Sequence, residues 1–269
     1  MSRAADLRRT FLELHHEPPE AGTLLMPNPF DLGSAKLLVL AGARALATTS
    51  SGAAATIGRL DSSMSREEVV AHARVMAASS DVPMNVDSED GFGDTVDDVV
   101  ATAQLLATTD AAGFSIEDWS PRRASIRDVD DAVARVAAAK EAGGDLVLTA
   151  RAENHIHGID DLDDTIARLL AYRAAGADVV YAPGLVDRDV IGRVVRSVNA
   201  PLNVLALPAA PSIPELAASG VARVSIGGLA AWAAYGAVWS MAIELFSTGT
   251  STYATTTLDP AVRDRAFGP

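Results

Sequence analysis

The sequence predicts a single α/β domain of the (β/α)8, TIM-type barrel class, and three observations lead there. From Leu24 to Phe246, eight short apolar runs alternate with segments of helical spacing. The chain has 269 residues, 49% of them hydrophobic, which suits one barrel and fills its core. No Gly-x-Gly-x-x-Gly follows the first run, so an open doubly wound sheet is the weaker reading. The domain is expected to span 1–269, with an N-terminal helix within 1–20 and a loose tail over 247–269.

Ala4 to His15 reads as an amphipathic helix with Leu7, Phe11 and Leu14 on one side, stopped by Pro18-Pro19. The first run, Leu24 to Met26, ends in Pro27-Asn28-Pro29. A helix from Leu32 to Ala41 closes at Gly42. The second run, Ala45 to Thr48, ends in Thr49-Ser50-Ser51-Gly52, and a longer loop carries Asp61. Ser65 and Glu68 form a capping box that starts the next helix. The third run starts at Pro83 and ends at Asp87, with a helix over Thr95 to Ala107 behind it. The fourth, Gly113 to Ile116, ends in Glu117-Asp118; a polar loop, Trp119 to Ser125, then leads to a helix through Lys140. The fifth, Leu146 to Ala150, ends in Arg151-Ala152-Glu153-Asn154 before a helix over Leu162 to Ala175. The sixth, Val179 to Tyr181, ends in Ala182-Pro183-Gly184, and the seventh, Leu202 to Leu205, includes Asn203. A short helix follows Pro211-Ser212. The eighth run, Ala222 to Ile226, ends in Gly227-Gly228 and feeds a last helix from Leu229 to Phe246.

Composition excludes several function classes. The net charge of −13 argues against a nucleic-acid footprint or an anionic membrane surface. With no cysteine there is no thiolate metal site and no cysteine nucleophile or acid. The only lysines, Lys36 and Lys140, fall in helical segments, which disfavours Schiff-base chemistry. Met1 to His16 lacks the apolar core of a signal peptide. Ile226 to Ile243 comes nearest to a membrane span and reads instead as a buried helix. A cytoplasmic location is the resulting expectation.

Chemistry gathers where the runs end, which in this barrel is the catalytic face. Asp87, Glu89 and Asp90 fall within four residues and are followed by Gly91-Phe92-Gly93, whose glycines turn the backbone. Glu117 and Asp118 follow the fourth run; Arg151, Glu153 and Asn154 follow the fifth. Carboxylates so placed repel one another unless water or a divalent ion sits among them, and Mg²⁺ takes one or two carboxylates plus waters and substrate oxygens. Held by Asp87 and more distant acids, such an ion can chelate a 2-oxo acid and stabilise the enolate left when a bond on the adjacent carbon breaks. Arg151 can grip a carboxylate or phosphonate in bidentate fashion, and the Ser50 and Ser51 hydroxyls can fix the remaining oxygens.

The pattern Asp87-Ser88-Glu89-Asp90-Gly91-Phe92-Gly93, Ile116-Glu117-Asp118 and Ala150-Arg151-Ala152-Glu153-Asn154 resembles the isocitrate lyase/phosphoenolpyruvate mutase superfamily. Thr48 to Gly52, Gly176 to Gly184 and Pro201 to Leu205 extend the resemblance over nearly the whole chain. It implies a barrel whose last helix is exchanged between subunits of a homodimer or homotetramer. It implies Mg²⁺, with Mn²⁺ as a substitute, near Asp87, and Glu89, Glu117 and Asp61 ligating directly or through water. Arg151, Glu117 and Glu153 become the candidate catalytic residues. Thr49, Ser50, Ser51, Gly52, Arg151 and Asn203 become candidates for binding a small anionic 2-oxo acid. Two departures stand out. The lyase branch's lysine-lysine-cysteine-glycine-histidine loop is absent, and the mutase gating loop's lysine and asparagine are replaced by Trp119-Ser120-Pro121-Arg122-Arg123-Ala124. Glu153, Tyr181 or a metal-bound water are then the candidate proton donors.

Other features have plainer readings. His155 and His157 suit a loop role, and Trp232, Tyr235 and Trp239 suit core or subunit packing. The acids from Asp160 to Asp164 favour a helix N-terminus. Asn28 and Asp31 either reach the pocket floor or cap the first helix of the barrel. Three functions are consistent with these residues: a Mg²⁺-dependent lyase cleaving next to a 2-oxo acid, with an oxaloacetate-like or 2-hydroxy dicarboxylate substrate; a phosphonate mutase or hydrolase; and a silent 2-oxo-acid-binding protein.

Overall fold

The eight apolar runs are the eight strands of one parallel sheet in a computed structural model that describes residues 2–17 and 22–268. They are β1 (Leu24–Leu25), β2 (Leu46–Ala47), β3 (Met84–Asp87), β4 (Gly113–Glu117), β5 (Val147–Arg151), β6 (Val179–Tyr181), β7 (Leu202–Leu205) and β8 (Arg223–Ser225). The sheet runs β1-β8-β7-β6-β5-β4-β3-β2, the cyclic order of a barrel. The remaining seam is bridged rather than laddered. The Ala47 N–H donates to the Pro27 carbonyl at 3.1 Å. The Asn28 side chain donates to the Thr48 carbonyl at 3.0 Å and accepts the Ile226 and Gly227 N–H groups, each at 2.9 Å. Asn28 thus ties the ends of β1, β2 and β8 together, while Asp31 caps the first barrel helix by accepting the Ser34 N–H.

Helices α1 (Arg3–Leu14), α2 (Leu32–Leu40), α3 (Ser50–Thr56), α4 (Arg66–Ala78), α5 (Val96–Ala107), α6 (Val129–Gly143), α7 (Leu162–Ala174), α8 (Arg188–Val198), α9 (Ile213–Ala218), α10 (Leu229–Thr248) and α11 (Pro260–Phe267) complete the chain. Strand residues such as Val86, Phe114, Ile116 and Leu148 are buried with Val99, Leu106, Val136 and Leu169 of the helices, which is why the strands read as nearly continuous apolar runs.

The Pro18-Pro19 stop lies outside the described residues. Several other sequence expectations need correction. Ser50–Thr56 is a short helix where a loop was expected, and Trp119-Ser120 pairs with Ser125-Ile126 as a small antiparallel hairpin. Helix α8 had no counterpart in the sequence reading, although Ile191, Val194 and Val198 have helical spacing and are buried. The tail is not loose: α11 packs against α2, with Phe267 over Gly33. Helix α10 is not buried either; Ala231 is its one buried residue, because the barrel surface does not cover the rest. Among the described residues it is the one helix long and apolar enough to cross a membrane.

The amino-terminal end of the barrel is plugged by α1, whose Phe11 is fully buried. His15 donates from Nδ1 to the Phe11 carbonyl at 2.7 Å, which leaves Nε2 to accept from the Arg223 guanidinium at 3.1 Å. Burial, then the Arg223 charge, pushes His15 down to about 3. The unfolded chain binds a proton here below roughly pH 6.5 and the folded chain does not, so stability falls as pH drops from there towards 3. The slope is about 1.4 kcal/mol per pH unit at most. His15→Gln removes this term; subtracting its denaturant-derived stabilities from those of the parent at pH 7, 6, 5 and 4 isolates it. Parallel curves would refute the assignment.

Candidate active site

The ladder registers set Asp87 beside Ser115, Glu117 beside Arg151, and Arg151 beside Tyr181, so residues far apart in sequence share one level of the carboxyl rim. Arg151 is the hub. Its guanidinium reaches Asp87 Oδ1 at 3.1 Å, Glu117 Oε2 at 3.2 Å and Glu153 Oε1 at 2.8 Å, and lies 5.3 Å from the Tyr181 ring centre. Burial works against its charge, but those three carboxylates outweigh it and hold Arg151 well above its ordinary range. The other oxygen of Asp87, Oδ2, accepts the Ser50 backbone N–H at 3.0 Å.

Negative charge exceeds positive charge here. Burial raises Glu117 and Glu153 above the usual carboxylate range, with Arg151 only partly offsetting it. Glu89 is pushed up to about 8 by burial and by the charges of Asp87, Asp61 and Asp90. Its Oε1 is buried without a hydrogen-bond partner. Asp61 sits at the exposed edge of its loop; desolvation and the Asp87 charge raise it, and a hydrogen bond from Ser50 works the other way. Among the described residues no three such side chains form a ready-made metal cage. Mg²⁺ needs none, since it keeps several waters, and an orphaned buried carboxyl oxygen beside surplus acids fits it.

The other two acids of these motifs turn away from the centre. Asp90 accepts from Arg127 at 3.0 Å, Arg122 at 3.4 Å and the Phe92 N–H at 3.0 Å. Asp118 accepts from Tyr172 at 2.6 Å, Arg168 at 3.2 Å and the Glu153 N–H at 2.9 Å. Both fix loops. Gly93 serves the same end: a Cβ there would fall 2.0 Å from Asp98 Cγ, the capping side chain of α5.

A cavity of about 210 Å³ opens over this rim. Strands β2 to β5 and their exits give it Ser50, Ser51, Asp61, Asn85, Asp87, Ser115 and Arg151; Thr49 also lines it. Tyr181, Pro183, Leu205, Ser225 and Met26 come from β6, β7, β8 and β1, and Ile156 from the loop after β5. The remaining expected residues lie elsewhere. Gly52 is buried in α3, where a Cβ would strike Phe30. Asn203 lies beneath the floor, donating to Ser225 and accepting from Arg223. Glu89, Glu117 and Glu153 stand behind the wall. Glu89 borders a second cavity with Phe92, Pro121 and Arg122.

Sequence reasoning passed over Asn85, Ser115 and Ser225. A signal existed: each is a polar residue inside an apolar run, and Asn85 and Ser115 sit two positions before Asp87 and Glu117, hence on the same face. Asn85 Oδ1 is buried in the floor without a partner. His155 and His157 form a short 3₁₀ turn, with His157 stacked on Trp119 at 3.5 Å.

A family model described as phosphoenolpyruvate phosphomutase matches residues 11–246. An uncharacterized protein of Mycobacterium tuberculosis (strain ATCC 25618 / H37Rv) is 31% identical over 225 residues, 82% of each chain. Among solved structures, a Burkholderia cenocepacia J2315 protein provisionally described as a lyase/mutase superposes with a TM-score of 0.93 at 43% identity, covering 99% of this chain and 97% of its own. A 2,3-dimethylmalate lyase described as a PEP mutase/isocitrate lyase superfamily member superposes with a TM-score of 0.84 at 25% identity, over 99% and 95% of the two chains. With the barrel, the acid-rich rim and these likenesses in agreement, the chain belongs to the phosphoenolpyruvate mutase family of the isocitrate lyase/PEP mutase superfamily.

Proposed function

We propose that the protein is a Mg²⁺-dependent lyase that cleaves a C–C bond next to a 2-oxo acid, through an enolate. The observation that carries this reading is the cluster of Asp87, Glu117 and Glu153 paired with the single Arg151, with Glu89 buried nearby, its Oε1 unpartnered, and Asp61 at the exposed edge. Asp87, with Asp61, Glu89 and Glu117 directly or through water, would hold the ion, which supplies Lewis-acid polarisation of the ketone and carboxylate oxygens.

The chain's own groups do the rest. Glu117 and Glu153 fix the Arg151 guanidinium, whose charge faces the substrate carboxylate. The C3–C4 bond breaks and its electron pair passes to C3. C4 leaves as carbon dioxide or, where it bears a hydroxyl, as a carbonyl compound whose hydroxyl proton goes to water. C3 then takes a proton from Tyr181 Oη. Of the three candidate donors Tyr181 is the side chain that lines the cavity, and burial pushes it up to about 12, so its proton is in place at neutral pH.

The test is turnover of a panel of 2-oxo and 2-hydroxy acids, abolished by EDTA and restored by Mg²⁺. Tyr181→Phe should lower kcat by about 10²-fold and make deuterium uptake at C3 from heavy water non-stereospecific. Unchanged, stereospecific uptake in that variant would remove Tyr181 from the mechanism. Release of phosphate from phosphonopyruvate would favour the P–C reading, which the matched family model keeps in view. Its weakness is the loop after β4, where Arg122 and Arg123 are paired with Asp90 and Asp94.

The protein is also proposed to work as a homodimer or homotetramer. Trp239 and Phe246 on α10 are 68% and 87% exposed, an apolar face that a second copy would cover. The same helix starts at the cavity rim, where Trp232 Nε1 donates to Ser51 Oγ at 3.1 Å. Light scattering after size exclusion should give two or four chains, and Trp239→Glu with Phe246→Glu should yield monomer. A monomeric parent protein would refute this assembly.

A further inference from the structure

The cavity has two unlike halves. The half built by β2 to β5 holds its charged groups, Asp61, Asp87 and Arg151. The half built by β6, β7, β8 and β1 presents Met26, Pro183 and Leu205, with Ile156 leaning in from the loop after β5. Tyr181, Ser225 and Asn28 are the polar side chains of that half; none carries charge at neutral pH, and the Asn28 amide is already bonded to the Thr48 carbonyl and to the Ile226 and Gly227 N–H groups. Arg151 is the one cationic side chain in the lining, and Asp87, Glu117 and Glu153 already occupy three sides of it.

No other described cation is placed to serve the apolar half. Arg122 and Arg123 pair with Asp90 and Asp94, and Arg122 borders the neighbouring cavity. Arg223 lies one layer lower, with its donors directed to Asn203, Thr149 and His15. A second carboxylate reaching towards Ile156, Pro183 and Leu205 would lose its water and meet no counter-ion, while an alkyl group there would lose only unfavourable contact with water.

Resting on the lyase reading above, we infer that the substrate is a monocarboxylic 4-hydroxy-2-oxo acid whose far end, beyond C4, is an uncharged aliphatic group, so that C4 leaves as an aliphatic aldehyde or ketone and its hydroxyl proton passes to water. This replaces the oxaloacetate-like or 2-hydroxy dicarboxylate that the sequence alone had suggested. The 210 Å³ of the cavity corresponds to about seven waters, enough for a short branched chain. Asn85, with its unpartnered Oδ1 in the floor, adds one acceptor for a hydroxyl proton on the bound acid.

Calorimetric titration of the Mg²⁺-loaded protein with 3-methyl-2-oxobutanoate, 4-methyl-2-oxopentanoate, oxaloacetate and 2-oxoglutarate decides the point. The branched monocarboxylates are expected to bind at least tenfold more tightly than the dicarboxylates. Ile156→Arg, at a side chain already 44% exposed, should narrow or reverse that ratio by about tenfold. Tighter dicarboxylate binding by the parent protein would overturn the inference and leave the lyase reading standing, as would an unchanged ratio in the variant. Absence of binding by all four acids would overturn both.

Discussion

Replacing Asp87 by Asn is expected to lower kcat by at least about 10³-fold, roughly 4 kcal/mol of transition-state stabilisation, while leaving the barrel folded. The substitution keeps the shape of the side chain and removes its charge. Asp87 faces the cavity, contacts Arg151 and accepts the Ser50 N–H, so it links the proposed cation site, Arg151 and the loop after β2. An amide can still accept the Ser50 N–H through its oxygen, which limits structural damage. Ligation of a hard cation suffers far more, because a neutral amide oxygen offers less charge than a carboxylate. The expected signature is therefore a fall in kcat together with a rise in the Mg²⁺ concentration needed for half-maximal rate. The parent and variant should show the same far-ultraviolet dichroism and similar melting temperatures without metal. A variant with full turnover and unchanged Mg²⁺ dependence would sink the metal-site assignment.

The barrel was legible because its parallel strands are covered on both sides, so they stand out as apolar runs between helices. The rim was legible because acids and an arginine at strand exits have no packing reason to be there. What sequence could not supply was direction. Asp90 and Asp118 belong to the same motifs as Asp87 and Glu117, yet they face Arg127 and Arg168 on the outer side and fix loops. A positive φ of 48° at Glu89 and 63° at Phe92 redirects that segment, and nothing in the residue types announces it. Asn203 was expected at the substrate; two hydrogen bonds hold it below the floor instead. Burial of α10 was misjudged for a different reason: an apolar helix reads alike whether its cover comes from its own chain or from another.

Replacing Arg151 by Met should be the most damaging single change to stability in this region. The guanidinium is the positive partner of Asp87, Glu117 and Glu153 together, and its side chain is 17% exposed. Methionine matches the aliphatic stem but leaves those three acids facing one another in a site where Glu117 and Glu153 are already raised by burial. Removing one member of a buried ion pair costs about 3–5 kcal/mol, mostly from the charge left behind. The loss should therefore appear in denaturant unfolding even before activity is measured. A second substitution separates this cause from lost packing. If unpaired charge is responsible, Glu117→Gln added to Arg151→Met should recover part of the loss, although Glu117→Gln alone in the parent protein should not stabilise it. Added Mg²⁺ should also stabilise the Arg151→Met protein more than the parent, since the ion then supplies the missing positive charge among the same carboxylates. Additive effects of the two substitutions, with no extra stabilisation by Mg²⁺, would mean that Arg151 holds the rim by packing and not by balancing its acids.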